Sequence, residues 1–161
     1  MINIERTPEE TQQYYIERMG EELGAFFFEL RNDVIFLFQK WIEYHYLFVE
    51  KESRLDYLNK AAPNFFWIVE KTLFYDIILH IARLIEESGR PRGKGKPNLT
   101  LRYLPNLIDD KETELKPDVK KLISNAQKKA AFSNDWRNRR IAHKDLQLTM
   151  NDAVQPLEDV P

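Results

Sequence analysis

Arg137 and His143, six positions apart near the end of the sequence, are the two residues whose types and spacing best suit chemistry. A guanidinium group offers a planar fork of hydrogen-bond donors that fits a phosphate or carboxylate. Imidazole is the side chain that most readily exchanges a proton near neutral pH. The pair is therefore a candidate for proton transfer beside an anionic group, and neither role needs a metal ion.

The spacing of the pair leaves two interpretations open. On an ideal α-helix, six positions place the two side chains about 120° apart, so they converge only if the helix ends or bends between them, or if a second chain completes the site. Alternatively, the basic residues of this segment cap the negative end of the last helix by binding its free carbonyl groups. Those residues are Arg139, Arg140, His143 and Lys144.

A second group of ionisable residues lies on an otherwise apolar helical pattern. Asp76, His80 and Arg83 follow one another at helical spacing and share one face. They are candidates for orienting the first site or for binding phosphate. The alternative is a ladder of buried ion pairs that fixes helix packing.

Composition excludes several classes of protein. The 161 residues are 43% hydrophobic and 31% charged, with a net charge of −2, so any nucleic-acid contact requires a local basic patch. The absence of Cys excludes disulfides, thiol catalysis and thiolate metal sites, and we predict no metal and no cofactor. The polar start of the chain and the lack of a long uncharged apolar run predict a cytoplasmic protein with no signal peptide and no membrane span.

The periodicity of apolar residues predicts an all-α fold, an antiparallel helical bundle that forms a single domain over 1–161. Thr7, Pro8 and Glu10 mark a helix start, and Gly20 and Gly24 weaken the pattern that follows. The predicted elements are listed in chain order. Long helices cover 25–50 and 63–87, a polar connection covers 53–62, a basic loop that is a solvated segment or an RNA contact covers 88–98, a short helix covers 99–110, a long helix covers 117–140, and an irregular tail begins near 149.

The helix predicted over 25–50 has more apolar surface than one partner helix can cover. One line of apolar residues runs from Leu23 to Phe48 at heptad spacing, and a second runs beside it through Ile35, Phe38, Ile42 and Val49. This surplus, with the 12% aromatic content, predicts either a central helix with two neighbours or a homodimer contact. We expect a homodimer whose two-fold axis passes near the segment from Arg137 to His143.

The sequence resembles the HEPN superfamily, and most closely its AbiU-type abortive-infection branch. Arg137-Asn138 followed by Ile-Ala-His143-Lys-Asp-Leu, at the end of a long helix, is similar to the signature of that superfamily. Three other segments resemble recurring segments of the branch: Ala61-Ala62-Pro63 before Phe-Phe-Trp, the run from Asp76 to Leu84, and the run from Asn98 to Pro105. The resemblance covers about Glu22 to Leu148.

The resemblance implies a helical-bundle fold, frequent homodimers and, in many members, a metal-independent endoribonuclease that leaves 2′,3′-cyclic phosphate ends. It makes Arg137 and His143 the catalytic pair and Asn138 their polar neighbour. We further predict that Arg139, Arg140 and Lys144 attract the RNA backbone. It further implies action in phage defence or as a toxin with an antitoxin partner. Some members only bind RNA or a partner protein, so a non-catalytic binding module is the alternative.

Overall fold

The structure, a computed structural model, describes residues 6–86 and 98–142, and within these ranges the protein is all-α, as predicted. Its α-helices are α1 (Pro8–Met19), α2 (Glu21–Phe48), α3 (Glu52–Ala61), α4 (Pro63–Ile85), α5 (Leu104–Leu107), α6 (Leu115–Lys129) and α7 (Phe132–Trp136). A 3₁₀ turn, Leu101–Tyr103, precedes α5, and a π-helix, Arg137–Ile141, follows α7. Residues 88–97 of the loop predicted over 88–98, and the tail predicted from 149, lie outside the described residues.

The Cα positions group into two compact units, each built from two stretches of chain. The first unit contains Met1–Val34 and Leu84–Lys128, and the second contains Ile35–Arg83 and Lys129–Pro161. The boundaries fall within α2 and within α4, so both long helices have residues in both units. The prediction of one domain over 1–161 stays a prediction.

In the first unit, the start of α1 and its junction with α2 confirm the signals in the sequence. The Thr7 hydroxyl accepts a hydrogen bond from the backbone N–H of Glu10, and the Glu10 carboxylate accepts one from the backbone N–H of Thr7. Gly20 ends α1 with a φ of 85°, which a residue with a Cβ rarely adopts. The chain can therefore reverse at Gly20, and α1 packs closely against the start of α2.

The remainder of the first unit is held by contacts of α6. Ile123 on α6 is buried, and the side-chain amide of Gln127 donates to the backbone carbonyl of Ile85 at 3.4 Å. At the other end of α6, the Lys116 ammonium donates to the carbonyl of Ile108 at 2.9 Å and pairs with Asp110 at 2.6 Å. These bonds fix the turn between α5 and α6.

In the second unit, α2 and α4 pack antiparallel. The ring centroid of Phe36 lies 6.3 Å from that of His80, and the centroid of Tyr44 lies 5.7 Å from that of Phe74. Ile77, Ile78 and Ala82 of α4 are buried at 2% exposure or less. Within the described ranges, no helix is long and apolar enough to cross a membrane.

Two sequence predictions about elements are wrong. The sequence predicts a polar connection over 53–62, but the structure has a helix, α3, over Glu52–Ala61. The segment contains no Gly or Pro before Pro63, and Leu55 and Leu58 lie one helical turn apart and are half-buried, so packing stabilises a helix despite its polar composition.

The second wrong prediction is the single helix over 117–140. The structure interrupts it after α6, continues with the short α7 and ends in a π-helix. The Ser133 hydroxyl donates to the Ala130 carbonyl at 2.7 Å, a local bond that competes with regular helical bonding. Ile123 before the break and Ser133 after it are both buried.

We predict that Gly24→Ala destabilises the protein although alanine is the better helix former. A Cβ on Gly24 would lie 2.5 Å from the Ile16 Cα and 2.5 Å from the Tyr15 carbonyl oxygen. Relief of that overlap should cost about 1–3 kcal/mol, more than the gain of about 1 kcal/mol in helix propensity. Thermal unfolding followed by circular dichroism measures the effect. A midpoint for Gly24→Ala at or above that of the wild type would show that α1 does not pack this closely.

Candidate functional site

Arg137 begins the π-helix that directly follows α7. The Trp136 ring, one residue earlier, packs edge-on against Phe74 of α4, with centroids 5.3 Å apart. Phe74 in turn packs against Tyr44 of α2. This aromatic cluster of Tyr44, Phe74 and Trp136 anchors the start of the π-helix to the two long helices of the second unit.

The predicted polar neighbour of Arg137 contacts it directly. The Arg137 Nε–H donates to the Asn138 side-chain oxygen at 3.1 Å, while the Arg137 side chain stays partly exposed. π-Helices occur mostly as short insertions in α-helices and are frequent at functional sites, and the extra residue changes which way the following side chains point. The angle of about 120° estimated for an ideal α-helix therefore does not apply to the chain after Arg137.

The other predicted basic residues differ in how much charge they leave available. Arg139 pairs with Asp135 one turn earlier, with its Nη1 3.4 Å from both carboxylate oxygens. Arg140 is exposed. His143 and Lys144 lie outside the described residues, so the predicted convergence of Arg137 with His143 stays a prediction.

Asp76 and His80, two members of the second predicted group, both contact Lys40, which the sequence pattern did not indicate. The Lys40 ammonium of α2 lies 2.5 Å from an Asp76 carboxylate oxygen and 2.7 Å from the His80 Nδ1. It also lies 4.8 Å from the centroid of the Phe36 ring. We call Lys40, Asp76 and His80 the Lys40 cluster. Its lysine side chain is only 12% exposed.

The chemistry of the Lys40 cluster determines where the His80 proton lies. An ammonium group can only donate hydrogen bonds, so the contact of Lys40 with His80 assigns Nδ1 as the acceptor and places a ring proton on Nε2. His80 is buried at 6% exposure, whereas the Asp76 side chain is 56% exposed. Lys40 therefore links a buried ring to a carboxylate at the surface.

Asp76 and His80 both contact Lys40. The third predicted residue, Arg83, is exposed in the last turn of α4. The cation that pairs with Asp76 comes from α2 and not from the same helix. One signal could have found Lys40: it is the sole Lys or Arg between Arg31 and Lys51, in a strongly apolar stretch of α2. A lone cation on such a helix needs an anionic partner.

Tyr44 of α2 has a raised pKa. Burial raises the pKa of Tyr44 above its usual value, and the nearby Glu70 carboxylate raises it further. The phenol thus stays neutral and serves the aromatic cluster as a packing residue. Over the described parts of the chain, no group of three or more His, Asp or Glu residues is arranged to hold a metal ion.

Comparison with known proteins identifies the family. The family model described as AbiU2, of the HEPN type, matches residues 20–158, which is most of the chain. The chain belongs to the AbiU2 family of HEPN proteins. The match confirms the resemblance given above, and it includes both Arg137 and His143. No curated protein and no solved structure matches the sequence. Membership suggests a function related to abortive infection.

We predict that Lys40→Met destabilises this HEPN domain and releases the His80 ring. Methionine keeps the apolar stem, but the buried Nδ1 loses its donor, which should cost about 1–3 kcal/mol. Chemical denaturation measures that loss, and nitrogen chemical shifts of the imidazole report the tautomer. We expect wild-type His80 to show the Nε2-protonated form and the variant to lose this preference.

Lys71→Met is the matched control for Lys40→Met. The Lys71 side chain is 43% exposed and pairs with the adjacent Glu70. Loss of this ion pair should therefore change the unfolding free energy by less than about 0.5 kcal/mol. Equal stability of the two variants, with unchanged His80 nitrogen shifts, would contradict the bridging role of Lys40.

Proposed function

We propose that this AbiU2-family protein is a metal-independent endoribonuclease that acts in phage defence or in a toxin–antitoxin pair. The observation that carries the proposal is the family match over residues 20–158, because that range contains the Arg137–His143 pair. The Arg137–Asn138 hydrogen bond supports it, since an arginine that binds a phosphate needs a fixed orientation. Such an enzyme acts in the cytoplasm, where its RNA substrate is found.

In the proposed reaction, His143 and Arg137 share the work. His143 removes the proton from the ribose 2′-hydroxyl, and the 2′-oxygen attacks the adjacent phosphorus. The bond from phosphorus to the 5′-oxygen breaks, and the protonated His143 gives a proton to that oxygen, so the same imidazole acts first as base and then as acid. The products carry a 2′,3′-cyclic phosphate and a 5′-hydroxyl. Arg137 binds the phosphate and stabilises the negative charge that develops on its oxygens, while Asn138 orients the guanidinium group.

The neighbouring basic residues bind the RNA backbone. The exposed Arg140 attracts phosphates, as does Lys144, whereas Asp135 neutralises part of the charge of Arg139. We therefore expect Arg140 to contribute more to RNA binding than Arg139. In this proposal the predicted supporting residues Asp76, His80 and Arg83 position the site from α4, with Lys40 holding the first two.

We expect His143→Ala and Arg137→Ala to abolish most RNA cleavage without unfolding the protein. Loss of an acid–base group typically costs about 10²–10⁴ in rate, and loss of a donor to the transition state costs about 10²–10³. The measurement is cleavage of total RNA in EDTA, with wild type and variants side by side. Chelation should leave the wild-type rate unchanged.

Lys144→Ala is the control for loss of one positive charge in the same segment. It should cost far less than Arg137→Ala, mainly by weakening RNA binding, and binding by the variant should depend less steeply on salt because one phosphate contact is lost. Cleavage that requires an added divalent metal, or a His143→Ala rate equal to that of the wild type, would rule out this mechanism. RNA binding without cleavage would instead favour the alternative, a non-catalytic module that binds RNA or a partner protein.

We also propose that the protein is a homodimer whose two-fold axis passes near the Arg137–His143 segment. Within the second unit, α2 and the residue that follows its end expose a line of four large apolar side chains at heptad spacing, a pattern typical of helix–helix contacts. They are Ile35, Phe38, Ile42 and Val49, with exposures of 37–61%. A toxin of this kind would additionally bind an antitoxin protein.

Light scattering tests the dimer. We expect a mass about twice the 19.3 kDa of one chain, and we expect Phe38→Glu to shift it towards one chain because it puts a charge into the apolar line. Tyr57→Glu is the control, since Tyr57 is 72% exposed on α3 and outside that line. The measurement is made at tens of micromolar, well above a Kd of about 1 μM. A wild-type monomer at that concentration would refute the dimer.

A further inference from the structure

The first unit contains an open groove of about 570 Å³ between the start of α2 and the segment around α5. Its apolar lining includes Phe26, Tyr103 and Leu107. The rings of Phe26 and Tyr103 lie with their centroids 5.5 Å apart, which makes a rigid aromatic surface. The volume lies within the range of small-ligand and peptide sites.

Three carboxylates border this aromatic surface: Glu21, Glu22 and Glu29. All three are exposed, and among the described residues none forms an ion pair or a side-chain hydrogen bond. Glu22 and Glu29 are seven positions apart on one face of α2, so they lie about 10 Å apart along the helix axis. Phe26 lies between them on that face.

The combination of charge and apolar surface restricts what can bind in the groove. RNA is excluded because its phosphates would be repelled by the three carboxylates. A hydrated metal ion gains nothing from the aromatic lining. A basic amphipathic segment satisfies both features, since its cations pair with Glu22 and Glu29 while its apolar side chains cover Phe26 and Tyr103.

We propose that this groove docks a basic amphipathic helix of a partner protein, with two cationic side chains about two turns apart on either side of apolar side chains. Docking of such a helix does not require that the protein cleave RNA. Burial of the aromatic surface provides most of the affinity. The carboxylates provide selectivity for basic segments, because exposed ion pairs contribute little net free energy.

The test measures binding of a designed helical peptide whose two Lys side chains lie two turns apart and flank two Leu side chains. Fluorescence anisotropy with a labelled peptide gives the Kd without any RNA present. We expect the double variant Glu22→Lys/Glu29→Lys to weaken binding about tenfold or more in low salt, and the difference to shrink as salt screens the charges. A peptide with Glu in place of Lys should not bind.

Glu43→Lys is the matched control, because Glu43 is exposed on the same helix and outside the groove. It should leave the Kd unchanged. Glu29→Lys tested alone guards against a folding effect at the first turn of α2, where Glu22 favours the helix terminus. Equal binding to the double variant and to Glu43→Lys would overturn the proposal. So would a change of oligomeric state caused by the double variant, since the groove would then hold a second copy of the chain.

Discussion

The ion pair between Lys40 and Asp76 is the constraint on which the second unit depends. Both groups belong to helices that also pack through aromatic and aliphatic side chains, and such contacts alone are less selective for one register than an ion pair. In the observed register the Lys40 ammonium reaches both Asp76 and His80. That register places Phe74 where Trp136 packs on it, and Trp136 precedes the π-helix that carries the predicted catalytic arginine. An electrostatic contact of α2 with α4 thus determines where the candidate site begins.

Local chemistry explains which elements of the fold the sequence could predict. The capping box at Thr7, the break at Gly20 and the start of α4 at Pro63 each depend on a few adjacent residues, and the structure confirms them. The helix Glu52–Ala61 depends on packing by two leucines in a polar segment, which composition does not reveal. The break near Ala130 depends on one hydroxyl bond within an alanine-rich stretch, where every local signal favours a continuous helix.

The candidate site shows the same division between local and distant determinants. The sequence predicts that Asp76 and His80 share a face, since helical spacing determines that, but it does not predict Lys40, which comes from another helix 36 positions earlier than Asp76. Adjacent residues place Asn138 beside Arg137. The predicted convergence of Arg137 with His143 depends on the path of the chain after the π-helix, so periodicity alone does not determine it.

The requirement for a ribose 2′-hydroxyl is the most direct test of the central claim, that Arg137 and His143 cleave RNA by activating the substrate's own nucleophile. One RNA oligonucleotide is compared with the same oligonucleotide carrying a 2′-deoxyribose at the cleaved position, both in EDTA, and the product ends are identified by mass spectrometry. We expect the all-ribose strand to yield a 2′,3′-cyclic phosphate and a 5′-hydroxyl, while the substituted position stays uncut. Cleavage at the deoxyribose, or products with a 5′-phosphate, would contradict it.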